Sequence, residues 1–67
     1  MSVVKVIELV GTSHHNWTDA VDNAVSEASK TIDDVLGVEV TNFTANIDNG
    51  RIAEYKADVK IAFHVHN

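Results

Sequence analysis

The chain has 67 residues, no cysteine and a formal net charge of −5 at pH 7, from ten acidic and five basic side chains. These numbers exclude disulfides and thiolate metal sites, and they argue against nucleic acid as a partner, because phosphate binding depends on Lys and Arg. Hydrophobic residues make up 45% of this short chain, which favours one domain over residues 1–67 that forms a homo-oligomer. No apolar run approaches a membrane span and no signal-peptide pattern is present, so we expect a cytoplasmic protein.

The first predicted element is a strand from Val3 to Val10, a segment rich in β-branched residues that stops at the turn signal Gly11-Thr12-Ser13. Val4, Val6 and Val10 lie on one of its faces, and Val3, Ile7 and Leu9 lie on the other. A strand that is apolar on both faces is usually buried on both. Because the chain predicts one helix, we expect another subunit to cover the second face.

The next element is an amphipathic helix. Asn16 is its expected N-cap, Asp19 suits the dipole of the first turn, and Gly37 is expected to end the helix in a left-handed conformation. The i, i+3, i+4 spacing of the apolar residues defines one stripe, which is made up of Trp17, Ala20, Val21, Ala24, Val25, Ala28, Ile32 and Val35.

The remainder predicts a hairpin around Asn49-Gly50, the pair that a type I′ turn prefers. Opposed residue numbers then sum to 99, which places Glu39 opposite Lys60 and Phe43 opposite Lys56, although a bulge would shift one half of this map. The face expected beneath the helix holds Val38, Val40, Asn42, Thr44, Ala53, Tyr55, Ala57, Val59 and Ile61. The other face holds Glu39, Thr41, Phe43, Ala45, Ile47, Ile52, Glu54, Lys56, Asp58 and Lys60.

These elements predict an α+β fold, a β-α-β-β subunit with a three-stranded antiparallel sheet. A right-handed crossover makes the first two strands parallel to each other, and the long third strand between them gives the order 1-3-2. One helix covers one face of this sheet. The second face stays semi-polar, with Phe43, Ile47 and Ile52 exposed, and we expect it to be an interface or a ligand wall.

Four motifs in this order resemble the dodecin family: Val10-Gly11-Thr12-Ser13, Thr31-Ile32-Asp33-Asp34-Val35, Val38-Glu39-Val40 and the strand end Ala62-Phe63. The resemblance covers nearly the whole chain. It implies a hollow shell of twelve subunits, with helices outside and sheets inside. It also implies that flavins (riboflavin, FMN or lumichrome) stack in pairs at subunit interfaces, where they are stored and protected.

Two positions depart from the flavin-binding pattern. Where those dodecins carry a stacking tryptophan, this chain has Gly37 with Leu36 beside it, and Lys56 replaces the glutamine that hydrogen-bonds the flavin ring. The candidate flavin residues are therefore Leu36, Gly37, Phe43 and Lys56, with Phe43 as a substitute aromatic. Some relatives without the tryptophan are associated with calcium, and this chain resembles that branch more closely, with Trp17 as a further similarity.

The candidate metal ligands are histidines and carboxylates. His64 and His66 have the i, i+2 spacing that puts two imidazoles on one face of a strand, where a third ligand from a symmetry mate could complete a divalent site. Carboxylates from several subunits could supply the six to eight oxygens that calcium needs. Solvated surface groups are the alternative for each of these residues. The carboxylates considered are Asp33, Asp34, Glu39, Asp48 and Asp58.

Four other residues are not predicted to bind a ligand or to catalyse a reaction. Trp17 begins the apolar stripe and is expected to pack on the sheet or a neighbour, with ligand stacking as the alternative, and His14 and His15 are expected on the surface. Ser13 adjoins His14 in sequence, which does not establish a catalytic geometry, and no phosphate-binding glycine loop is present, so no enzyme is predicted. Two functions remain open: flavin storage at interfaces, and a flavin-deficient shell that binds calcium or another divalent ion.

Overall fold

The computed structural model describes residues 3–66. Its elements are the strand β1 (Val3–Ser13), the helix α1 (Trp17–Ser29), and the strands β2 (Val35–Asp48) and β3 (Arg51–Val65). The sheet has the order β1-β3-β2 and both strand pairs are antiparallel, so the predicted α+β class and topology are confirmed. Within residues 3–66, no helix is long and apolar enough to cross a membrane.

Helix α1 begins as predicted and ends earlier than predicted. The Asn16 side chain accepts a hydrogen bond from the Asp19 backbone N–H at 2.6 Å, but the helix stops at Ser29, and Gly37 lies in β2. The left-handed residue of this connection is Asp34, at φ 57°. The predicted stripe ran on to Val35 because Val35, like Ile32, still packs against the core from outside the helix.

Strand β1 is longer than predicted, because Gly11, Thr12 and Ser13 continue its pairing with β3. Gly11 is not a turn residue: it is buried, and a Cβ built there would lie 2.0 Å from the Ala20 carbonyl oxygen of α1. The glycine therefore lets the helix backbone approach the sheet closely. At the end of β1, the Ser13 hydroxyl donates to Asp19 Oδ2 at 2.7 Å and anchors the start of α1.

The core is thin and built from small side chains. Three alanines one helical turn apart on α1 face the middle of β3, where Val59 and Ile61 are the largest fully buried side chains. Alanines permit a short distance between helix and sheet, but they bury little apolar area, and hydrophobic stabilisation scales with that area. The buried hydrophobic residues are Ala20, Ala24, Ala28, Ala57, Val59 and Ile61.

The hairpin turn is the predicted one. Asn49 and Gly50 both have positive φ, 55° and 76°, as a type I′ turn requires. Asp48 lies opposite Arg51, and Glu39 lies opposite Lys60, so the predicted register holds near the turn and near the far end of β2.

Between those ends, two register shifts displace the central part of β2 by one residue. Phe43 therefore lies opposite Ala57, and Lys56 lies opposite Thr44, so the predicted Phe43–Lys56 pair is wrong. Directly opposed residues share a face of the sheet. Phe43 and Ala45 consequently lie on the helix side, and Asn42 and Thr44 lie on the other side, which reverses the prediction for these four residues.

We expect Gly11→Ala to destabilise the protein by about 1–3 kcal/mol, because its methyl group has no space beside the Ala20 carbonyl. Thermal unfolding of the purified protein measures this, at roughly 4–8 °C per kcal/mol. Gly37→Ala is the matched control, since a Cβ there meets nothing within 4 Å. Equal melting temperatures for Gly11→Ala and the parent would contradict the close approach.

Candidate functional site

The sheet surface opposite α1, called here the helix-free face, consists of residues that are opposed in rows across the three strands. Its β1 side chains Val4, Val6 and Val10 are 52%, 51% and 60% exposed. These exposed valines are apolar surface that α1 does not cover, and Glu8 lies between Val6 and Val10 on the same face. From the α1–β2 end of the sheet, the rows run Val6–Ala62–Gly37, Glu8–Lys60–Glu39, Val10–Asp58–Asn42 and Thr12–Lys56–Thr44.

An open hollow of about 570 Å³ lies at the first two of these rows. The side chains of Val6 and Ala62 give it an apolar wall, and Gly37 leaves its floor without a side chain. The second row supplies the polar part, with Lys60 between glutamates on both neighbouring strands. The hollow therefore combines an apolar wall with one cationic and two anionic groups. Its lining consists of Val6, Glu8, Gly37, Val38, Glu39, Lys60 and Ala62.

The predicted flavin residues do not converge within one chain. Gly37 lines the hollow and Leu36 beside it is exposed. Lys56 lies on the same face but six residues along β3 from Ala62, which is about 20 Å at 3.3 Å per residue. Phe43 lies on the helix side. Among residues 3–66, no aromatic side chain lines the hollow.

Phe43 belongs instead to a cluster of three aromatic rings on the helix side. The Trp17 ring centroid lies 6.2 Å from that of Phe43 and 4.9 Å from that of Tyr55, and both pairs are edge-to-face. The Trp17 Nε1–H also donates to the Thr44 carbonyl oxygen at 2.8 Å. Trp17 thus packs on the sheet, as the apolar stripe predicted, and ties the start of α1 to the middle of β2.

Three predicted metal-ligand residues meet at the end of the sheet where β2 begins and β3 ends. One ligand atom from each of Asp34, His64 and His66 lies within 4.8 Å of the other two. The His66 Nε2 and the Asp34 Oδ2 are 2.5 Å apart, and the rings of His64 and His66 lie edge to face with centroids 4.8 Å apart. The cluster contains two imidazoles and one carboxylate.

Backbone geometry brings this cluster together. The alternation of a strand puts His64 and His66 on one side, and the His64 N–H donates to the Asp34 carbonyl oxygen at 3.2 Å. The left-handed φ of Asp34 is a conformation that aspartate tolerates better than most residues. The sequence pattern predicted the two histidines, with a third ligand from another subunit. It missed that Asp34 of the same chain lies beside them, although extending the hairpin register would have brought Asp34 near His64.

The remaining predicted carboxylates lie elsewhere. Asp33 is adjacent to the cluster in sequence but is not part of it, whereas Glu39 and Asp58 lie on the helix-free face in rows with Lys60 and Asn42. Calcium needs six to eight oxygen ligands. The Asp34 cluster offers carboxylate oxygens from one residue, so the donor set that one chain gathers does not fit calcium.

Comparison with known proteins gives a consistent result. The Dodecin family model matches residues 3–66. The calcium dodecin of Mycobacterium tuberculosis is 32% identical over 63 residues, which are 94% of this chain and 89% of that protein. The dodecin structure from Streptomyces coelicolor superimposes with a TM-score of 0.96 at 33% identity, covering 98% of this chain and 94% of that one.

A solved structure of the M. tuberculosis calcium dodecin is also similar, with a TM-score of 0.84 at 28% identity, covering 96% of this chain and 91% of that one. That protein is described as a calcium-chelating antigen with a novel calcium-binding site. This chain is thus similar both to the S. coelicolor dodecin and to the calcium dodecin of M. tuberculosis.

We expect Phe43→Ala to shift the fluorescence emission of Trp17 to longer wavelength, because one side of its ring then becomes exposed to water. The loss of the edge-to-face pair also lowers the free energy of unfolding by about 0.5–1.5 kcal/mol. Trp17 is the single tryptophan, so the emission reports on this site alone. Val6→Ala, on the helix-free face, should leave the emission unchanged, and the reverse pattern would contradict the placement of Phe43.

Proposed function

This chain belongs to the dodecin family, and we propose that it is a non-enzymatic, cytoplasmic subunit of a closed homododecamer that stores a small ligand at its subunit interfaces. Flavin, as riboflavin, FMN or lumichrome, is the first ligand of this proposal. The observation that carries it is the helix-free face, which has exposed valines on β1 and an open hollow beside Val6 and Gly37.

The assembly follows from the imbalance between the two faces of the sheet. Helix α1 covers one face, while Val4, Val6 and Val10 of the other face are all more than half exposed. Burial of apolar area is the main favourable term in association, at roughly 25 cal/mol per Å². A second copy that covers these valines would remove their apolar surface from water. We therefore expect other copies of this chain to be its partners.

The flavin proposal rests on the hollow around Gly37. Its wall consists of apolar side chains, against which a flat ring can be buried, and Lys60 and Glu39 at its margin can bond the polar edge of a ring. The missing tryptophan leaves space rather than a clash, because a Cβ at Gly37 meets nothing within 4 Å. A flavin buried between subunits would be shielded from solvent and from photochemistry, which is the storage role.

The second candidate is a shell that binds calcium or another divalent ion in place of flavin. The similarity to the M. tuberculosis calcium dodecin favours it. The carboxylates of Glu8, Glu39 and Asp58 share the helix-free face, so several copies that meet there would together supply more oxygens than one chain can. In this candidate the ions lie at the interfaces, and the hollow stays without a flavin.

Val10→Asp should break the assembly, because it replaces an exposed valine that the proposal buries between copies with a charge, in the row that already holds Asp58. Size-exclusion chromatography with light scattering should give about 88 kDa for twelve subunits of 7.3 kDa in the parent protein, and a smaller mass for the variant. Ser26→Asp adds the same charge on the exposed side of α1 and should leave the mass unchanged. A parent protein that runs as a monomer would contradict the closed shell.

Gly37→Trp should strengthen riboflavin binding, because it restores an aromatic surface at the hollow. A stacked ring pair contributes about 0.5–1.5 kcal/mol beyond burial, and two copies that contribute one ring each raise the affinity roughly 5- to 150-fold. Titration of the purified assembly with riboflavin, followed by quenching of flavin fluorescence, gives both dissociation constants. Gly37→Leu is the matched control, since it adds apolar bulk without a ring.

The same titration decides between the two candidates for the parent protein. Saturable quenching near one flavin per subunit supports flavin storage. A parent protein that assembles fully and leaves flavin fluorescence unquenched contradicts it, and calcium titration of that assembly then tests the second candidate.

A further inference from the structure

We infer that Asp34, His64 and His66 form a binding site for a divalent transition-metal ion of the zinc class, within one chain and apart from the hollow around Gly37. The inference does not depend on the interface ligand, because all three residues come from a single subunit. It also differs from the calcium candidate, because the donor atoms are two imidazole nitrogens and one carboxylate oxygen.

The donor set selects the class of ion. Imidazole nitrogen is a borderline ligand that suits zinc, copper and nickel, whereas calcium and magnesium prefer oxygen ligands. Two histidines with one carboxylate are a common set of three protein ligands for zinc, and the fourth position then holds water or another small ligand. The imidazole nitrogens of His64 and His66 therefore favour an ion of the zinc class over calcium.

The positions of the three side chains fit such a site with small movements. Tetrahedral coordination at about 2.0–2.1 Å from the metal puts ligand atoms about 3.3 Å from one another. The present cluster has its atoms within 4.8 Å, and the Asp34 and His66 atoms are 2.5 Å apart. An ion would separate that last pair slightly and draw the His64 ring inward by about an ångström.

Backbone pairing holds the site before any ion binds. His64 lies within β3, opposite Val4 of β1, and its N–H bonds the Asp34 carbonyl oxygen on the β2 side. Two of the three ligand residues are therefore fixed to each other by a main-chain hydrogen bond. A preformed pair reduces the ordering that binding requires, and His66 completes the set from the end of the same strand.

The ion pair between Asp34 and His66 does not by itself explain why the three side chains lie together. Their side chains are 54% and 62% exposed, and exposed ion pairs contribute roughly 0–1 kcal/mol to stability. Within residues 3–66 the His64 side chain makes an edge-to-face contact with His66 and no hydrogen bond, although its ligand atom lies within 4.8 Å of both others. A shared metal ion uses all three side chains.

The test is calorimetric titration of the tag-free, assembled, flavin-free protein with zinc chloride. We expect saturable binding of about one zinc per chain. His64→Gln and His66→Gln should each weaken zinc binding by about 100-fold, and Asp34→Asn by about tenfold, because loss of a direct ligand costs at least as much as the 10–100-fold of an outer-shell partner. Asparagine suits Asp34 because it also tolerates a left-handed backbone.

The chain contains matched controls for both residue types. His14→Gln with His15→Gln removes two exposed histidines outside the cluster, and Asp33→Asn removes the neighbouring carboxylate. These variants should bind zinc within about twofold of the parent protein, because they leave all three donor atoms in place. Size-exclusion chromatography of every variant verifies that the assembly is unchanged.

Three results would overturn the inference: no saturable zinc binding by the parent protein, equal loss in the controls and the ligand variants, or displacement of zinc by an equal concentration of calcium. Each of these results leaves the flavin proposal untouched, since riboflavin quenching is measured separately without metal. The opposite result is also informative. If the protein does not quench riboflavin fluorescence but binds zinc through these three residues, the metal site is supported and flavin storage is contradicted.

Discussion

The close contact between helix α1 and strand β1 at Gly11 is the constraint on which the rest of the subunit depends. The helix backbone at Ala20 lies so near the sheet that a Cβ at Gly11 has no room, and alanines at Ala24 and Ala28 keep that distance along the helix. A contact this short is made by small side chains, which bury little apolar area. The subunit therefore has a thin core on one face and exposed valines on the other, and the proposed assembly covers them.

The two register shifts in β2 decide which side chains the helix-free face can offer a ligand. They turn Phe43 onto the helix side, where it packs with Trp17, and place Thr44 opposite Lys56. The hollow is left with an apolar wall, Lys60 between two glutamates, and an empty floor at Gly37. In the proposed shell, ring recognition then depends on what a second subunit contributes at this hollow, which makes Gly37→Trp an informative change.

At the end of the sheet where β2 begins and β3 ends, three side chains outside the buried core come together. Asp34 occupies the left-handed residue of the α1–β2 connection, and the end of β3 carries His64 and His66 to it. Neither the core nor the helix-free hollow uses these three side chains. Ligand storage at interfaces and metal binding at the sheet end would therefore use different side chains of one subunit, although His64 lies opposite Val4 on the helix-free face.

Local patterns in the sequence determined the order of the elements, the N-cap Asn16, the type I′ turn at Asn49-Gly50 and the strand order 1-3-2, because each depends on neighbouring residues or on connection handedness. The sequence also predicted that His64 and His66 lie on one side of a strand as candidate metal ligands. It did not determine where α1 ends, since Val35 keeps the helical spacing while packing from a strand. Only the tertiary structure decided the face of Phe43 and the meeting of Asp34 with the two histidines. The face of Phe43 depends on two register shifts that arise when the strands pair, and the position of Asp34 depends on a left-handed backbone residue in the α1–β2 connection.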